Sequence, residues 1–150
     1  LSDQLQILLD DPGMISNAVE EMLRFESPSA GLWRVVTMDT EIQGVAIPKG
    51  ALLQLRYAAA NRDERVFDKP DSMDVCRQNA GDNIAFGYGT HFCPGAFLAR
   101  KEMQVAFSRL LQRLTNIRLA EGKNDLTHWP NMVLRGLKEL HITFDRRTDA

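Results

Sequence analysis

One cysteine at the end of a glycine-punctuated loop carries the clearest chemistry in this chain. The loop reads Phe86-Gly87-Tyr88-Gly89-Thr90-His91-Phe92-Cys93-Pro94-Gly95. Gly87 and Gly89 allow backbone conformations and close approaches that a Cβ forbids. Such a loop can wrap one sulfur and lay its backbone against a flat ligand. A long helical pattern follows at once, so Cys93 sits at a helix mouth, where unpaired N–H groups and the helix dipole stabilise an anion. Pro94 is expected in the first helical turn, where proline loses no needed hydrogen bond. A thiolate held this way is a strong soft ligand for a metal. A nucleophilic cysteine is the other reading of a helix-mouth sulfur, but no dyad or orienting base stands nearby in the sequence.

Other elements must hold that loop in place. Leu1, Leu5, Leu8 and Leu9 have helical spacing, and Asp10-Asp11-Pro12-Gly13 breaks the pattern. A second helix is patterned by Ile15, Ala18, Val19, Met22 and Leu23, with Ser16 or a neighbour as its cap. It ends before Ser27-Pro28, because a residue before proline avoids the helical region. Glu21 and Arg24 share a face of that helix; taken alone they read as a surface ion pair worth at most about 1 kcal/mol. From Leu32 to Leu55 the period becomes strand-like, with turns at Met38-Asp39-Thr40 and Pro48-Lys49-Gly50 and a last strand from Ala51 to Tyr57. A short helix and its exit cover Ala58 to Asp63. Phe67 to Asn83 is polar and aperiodic, and a loop of that length inside a compact domain is normally functional or mobile. Cys76 within it reads as a small buried filler or a free thiol. After Cys93, the residues Phe97, Met103, Ala106, Phe107, Leu110, Leu111 and Leu114 form a helical stripe. Short strands are expected at Ile117–Leu119, Met132–Leu134 and Leu140–Phe144. The fold class this implies is α+β, mainly helical.

The cysteine loop resembles that of the cytochrome P450 family, Phe-Gly-x-Gly-x-His/Arg-x-Cys-x-Gly, often continued by Leu-Ala-Arg. Here it reads FGYGTHFCPGAFLAR. With glycine near 7% and the other residues near one in twenty, the Phe, three Gly and Cys at these spacings arise at roughly one in a million starts. The resemblance extends along nearly the whole chain, through Glu21-Met22-Leu23-Arg24, Ala59-Ala60-Asn61-Arg62-Asp63 and Arg135-Gly136-Leu137. It implies that residues 1–150 form the C-terminal portion of a single domain of that fold, of the bacterial type. The family's long helix over the distal face of the haem, with its proton-relaying acid–alcohol pair, has no counterpart in these residues.

Specific roles follow from the resemblance. Cys93 would be the axial thiolate of a haem b iron, the catalytic and metal-binding position. Arg34, Phe86, Gly87, His91 and Gly95 would join it as cofactor-binding residues, with Arg34 and His91 on the propionates and Phe86 beside the thiolate. Glu21, Arg24 and Arg77 would form a structural triad that clamps the loop. Ala30 and Gly31, with Ser29 and Leu32 beside them, and Val133 and Leu134 would lie near substrate. The implied reaction inserts one oxygen atom of O₂ into a small apolar organic molecule. Electrons would come from NAD(P)H through a ferredoxin-type or flavin donor. Arg100, Lys101, Arg109 and Arg113 on the last long helix read either as a solvated basic face or as a dock for an acidic donor. Two other functions stay open: a catalytically silent chain that binds haem weakly or not at all, and a haem-thiolate isomerase or peroxygenase.

Composition sets the remaining bounds. A chain of 150 residues is one domain's length. Its net charge of −2 suggests no nucleic-acid or anionic-membrane partner. No apolar run approaches the roughly eighteen residues that span a bilayer. Two cysteines in all fit a reducing, cytoplasmic setting. Apolar surface meant for haem and for the missing distal side would favour self-association of the isolated chain.

Overall fold

The computed structural model describes residues 2–148. Leu1, placed in the first helix by its spacing, lies outside them. Helix α1 spans Ser2–Asp10 and α2 spans Ile15–Phe25, joined by a 3₁₀ turn at Pro12–Met14. Asp11 Oδ1 accepts the Gly13 N–H at 2.9 Å, which fixes that turn. No side chain caps α2. The expected cap, Ser16, lies inside the helix, and its hydroxyl accepts from Gln104 Nε2 at 3.1 Å. The helix ends where the sequence places it: Ser27 Oγ donates back to the Leu23 carbonyl at 2.9 Å, and Pro28 follows.

The strands of the described residues form three separate two-stranded antiparallel sheets. Strands β1 (Leu32–Val35) and β4 (Leu52–Leu55) pair with Leu32 opposite Leu55. Strands β2 (Thr40–Ile42) and β3 (Val45–Ile47) form a hairpin. Its two-residue turn is Gln43-Gly44, at φ 50° and 81°, the mirror-image turn that suits the strand twist. The expected strand thus breaks at Gln43-Gly44. The strand expected up to Tyr57 stops at Leu55, and Tyr57 opens α3 (Tyr57–Ala60). Residues 61–95 have no strand and only two short 3₁₀ turns, at Ala80–Asp82 and Gly89–His91.

Helix α4 spans Ala96–Arg113 and runs directly into β5 (Leu114–Leu119), which pairs with β6 (Ile142–Arg146). Two expectations change here. Leu114 is extended, at φ −119° and ψ 147°, and leaves the helical stripe. Met132–Leu134 form no strand; Leu134 makes a lone antiparallel bridge to Ser29.

The core lies between α1, α2 and α4. Leu8, Ile15, Ala18, Val19, Leu23, Val75 and Ala85 form its buried centre, and Met103, Phe107 and Leu111 pack against it from α4. Residues 103, 107 and 111 are four apart and share one face. Phe97, Ala106 and Leu110, assigned to the same stripe from the sequence, are exposed on other sides of the helix. A helix of 3.6 residues per turn cannot bury all of them against one neighbour. Cys76 is an exposed free thiol rather than a buried filler.

Candidate functional site

Cys93 is half-buried and free. Its N–H donates to the Phe86 carbonyl at 3.0 Å, which joins the end of the loop to its start. The two glycines between them take positive φ, 78° at Gly87 and 71° at Gly89, a region costly for other L-residues. Gly87 faces Tyr57: an added Cβ would stand 3.4 Å from the phenol oxygen. Helix α4 starts at Ala96, so Pro94 precedes its first turn rather than sitting in it. No side chain caps that end, and its first N–H groups point toward the Cys93 side of the helix.

Behind the loop lies a buried ionic cluster. Glu21 and Arg24 are both fully buried, and Arg77 is nearly so. Arg24 donates to both Glu21 oxygens, at 2.7 and 2.8 Å, and Arg77 Nε lies 3.1 Å from Oε2. Each guanidinium also spends its remaining donors on backbone carbonyls. Arg24 reaches those of Asn61, Pro70 and Ser72, and Arg77 those of Asp68, Lys69 and Ser72. The Asp74 N–H donates to Glu21 at 2.9 Å. Burial alone pushes the Glu21 carboxyl up, but its bonds from Arg24, the Asp74 amide and Arg77 outweigh burial and hold it below its ordinary value. The aperiodic segment 67–83 is therefore ordered by side chains that offer it donors, not by a backbone ladder.

Two residues whose partners sequence reasoning did not find extend the scaffold. Asn61 is buried; its Nδ2 donates to Ser27 Oγ at 2.8 Å and its Oδ1 accepts the Ile84 N–H at 2.7 Å. It ties the exit of α2 to the strand of chain that enters the cysteine loop. Arg100, expected on a basic face, turns inward: it forms a two-bond pair with Glu20, at 2.6 and 3.0 Å, and its guanidinium lies 4.7 Å from the Phe86 ring centroid. The available signal was the Ala-Asn-Arg-Asp and Leu-Ala-Arg runs themselves, which named the residues but not their neighbours.

The segments expected near substrate do come together. Ala30 N–H donates to the Val133 carbonyl at 2.6 Å, and Arg135 N–H to that of Pro28 at 2.8 Å. Gly31 packs so tightly on the Leu55 carbonyl that an added Cβ would collide with it. Arg34 and His91 are not brought together by any hydrogen bond or ion pair. Arg34, on β1, donates to the neighbouring Trp33 carbonyl at 2.9 Å, and His91 is exposed in its 3₁₀ turn. Two clefts lie elsewhere. One of about 530 Å³ is lined by Leu8, Ile15, Leu111 and Arg146, and one of about 470 Å³ by Ser16, Lys101 and Arg109. Neither touches Cys93.

The sequence profile of cytochrome P450 matches residues 13–144. The chain belongs to the cytochrome P450 family. Cytochrome P450 107B1 of Saccharopolyspora erythraea is 43% identical over 141 residues, which are 93% of this chain and 35% of that protein. The vitamin D(3) 25-hydroxylase of Pseudonocardia autotrophica is 42% identical over 147 residues, 97% of this chain and 36% of that protein. Among solved structures, the tirandamycin C-bound P450 monooxygenase TamI superposes with a TM-score of 0.90 at 41% identity, over 95% of this chain and 36% of its own. The chain therefore spans about a third of the length of these relatives, and its fold is part of the P450 fold.

The family implies haem, and the residues present fit it. Among the described residues no three His, Cys, Asp or Glu side chains gather as a metal site. A metal held by the Cys93 sulfur would thus bring most of its own ligands, as a macrocycle does. Gly95 lies beside the sulfur: an added Cβ would make ordinary van der Waals contact with it at 3.8 Å. Phe86 and Phe92 stand in the loop that carries the sulfur, Phe92 about half exposed.

Proposed function

We propose that this chain supplies the haem-thiolate side of a monooxygenase that inserts one oxygen atom of O₂ into a small apolar organic substrate. The observation that carries the reading is the placement of Cys93: half-buried, tied to Phe86, at the uncapped mouth of α4. When bound, haem b supplies the oxygen and electron chemistry. The chain's residues supply the rest. Cys93 offers the thiolate, and the loop backbone and Phe86 limit water around the sulfur, which sets how tightly its charge is held. Arg34 and His91 each have free donors with which to meet a propionate. Glu21, Arg24 and Arg77 hold the segment that leads to the loop. Small Ala30 and Gly31, with Val133 and Leu134, would form an apolar seam where an apolar substrate would lie.

The donor in this reading is a ferredoxin-type or flavin protein, received by Lys101, Arg109 and Arg113, which are exposed on α4. We place the protein in the cytoplasm; no helix among the described residues is long and apolar enough to cross a membrane. The deciding experiment is the absorption spectrum of the reduced protein with carbon monoxide. A thiolate-type band is expected for whatever haem is bound, and bound haem whose band lacks thiolate character would overturn the assignment. A second reading, haem held weakly by the isolated chain, is favoured by the apolar residues left exposed, among them Phe97, Leu98, Leu52 and Leu134.

A further inference from the structure

We propose that Arg100 is a positioning residue for the Cys93 thiolate, acting through Phe86, and that it takes no part in the docking face its charge suggests. The proposal rests on the reading of Cys93 as the haem ligand. Arg100 Nε and Nη2 donate to the two carboxylate oxygens of Glu20 at 2.6 and 3.0 Å. Glu20 is itself held from a second side, by Asn83 Nδ2 at 3.1 Å, and Asn83 Nδ2 lies 2.9 Å from the Ala80 carbonyl. The guanidinium plane so fixed lies over the Phe86 ring, 4.7 Å from its centroid. Phe92 approaches the same ring edge-on, with centroids 6.5 Å apart and planes at 64°.

Phe86 is also the residue whose carbonyl accepts the Cys93 N–H at 3.0 Å. Its ring and its carbonyl belong to one residue, so a ring held by Arg100 constrains the carbonyl that orients Cys93. Arg100 stands just past the first turn of α4, the helix that follows Cys93, and Glu20 stands on α2. The cation thus closes the loop by joining its first residue to the helix after its last. An arginine suits this task and a lysine does not. The planar fork takes both carboxylate oxygens and stacks on an aromatic face at once, while an ammonium is a single hydrated point charge. The pair is partly exposed, with side chains 26% and 19% accessible, so solvent screens its charge and its value lies in geometry more than in energy.

The test uses the haem-loaded protein with Arg100→Lys and Glu20→Gln. Arg100→Lys keeps the charge, so a docking role would survive it and a positioning role would not. The expected result is a several-fold larger fraction of the non-thiolate carbon monoxide form and a positive shift of the iron's reduction potential, as water reaches the sulfur. Glu20→Gln, which leaves Arg100 in place but loosens its tether, should move both readouts in the same direction by less. If Arg100→Lys matches wild type in band and potential, the proposal is overturned. If that variant fails to fold, Glu20→Gln decides, and an unchanged spectrum there overturns it too. A wild-type protein without a thiolate-type band would instead remove the Cys93 reading on which the proposal stands.

Discussion

Arg77 Nε lies 3.1 Å from Glu21 Oε2, although 56 residues separate them in the chain. That contact closes the long aperiodic segment against α2. Glu21 shares its carboxylate between Arg77 and Arg24, and both guanidiniums place a further donor on the Ser72 carbonyl. No buried side-chain polar atom among the described residues lacks a partner. A buried network that is fully satisfied fixes one arrangement, and removing a member leaves charges uncompensated.

Glu21→Ala should therefore cost about 3–5 kcal/mol, because two buried cations would face each other. Haem content and thermal midpoint of the haem-loaded protein report it, and unchanged values would make the cluster dispensable. The same carboxyl gives an acid dependence. Its folded pKa is held below the ordinary 4.5, so its contribution is complete above that value and is lost as pH falls through the folded pKa. Denaturant titrations on the acid side should be steeper in pH for wild type than for Glu21→Gln.

Cys93→Ser should remove the thiolate-type carbon monoxide band while leaving the fold intact, since serine fits the space and Cys93 N–H still meets Phe86. Circular dichroism checks the second half. A normal band in this variant would show that another residue ligates.

Gly31→Ala places a methyl group against the Leu55 carbonyl, with the Arg56 backbone close behind. Backbone cannot swing aside as a side chain does, so a loss of roughly 1–3 kcal/mol or more is expected. Gly81→Ala is the matched control, because nothing lies within 4 Å of its added Cβ. Equal midpoints for the two variants would refute the close approach.

Charge reversal at Lys101 and Arg109 should slow reduction by an acidic donor, and more so at low salt, with haem spectra unchanged. Stopped-flow reduction at two ionic strengths measures this. Rates insensitive to both charge and salt would place the dock elsewhere.

The chain of residues 1–150 alone should bind haem substoichiometrically and self-associate. Phe97 is 82% exposed and Leu98 61%, and such apolar surface seeks cover. Haem titration and light scattering test the two halves; a monomer with one tight haem would contradict both.

By itself the sequence determined what depends on local spacing. The glycines of the cysteine loop, the helical stripe of Ile15, Ala18, Val19 and Leu23, and the Ser27-Pro28 stop are each readable because conformation there is set within a few residues. The Glu21–Arg24 pair is also local, three residues apart on one helix face. Its burial is not local: spacing alone describes a surface ion pair, and only the arrival of Pro70, Ser72 and Arg77 removes it from water. Arg100 shows the same limit. On charge it belongs with Lys101 and Arg109, and it is Glu20, eighty residues earlier, that turns it inward. The helical stripe of α4 was too broad because periodicity marks apolar faces without saying which one has a neighbour. The strand expected at Met132–Leu134 became a single bridge to Ser29 because a ladder needs a partner of matching length, and which segments lie side by side is decided by packing among residues far apart in the chain.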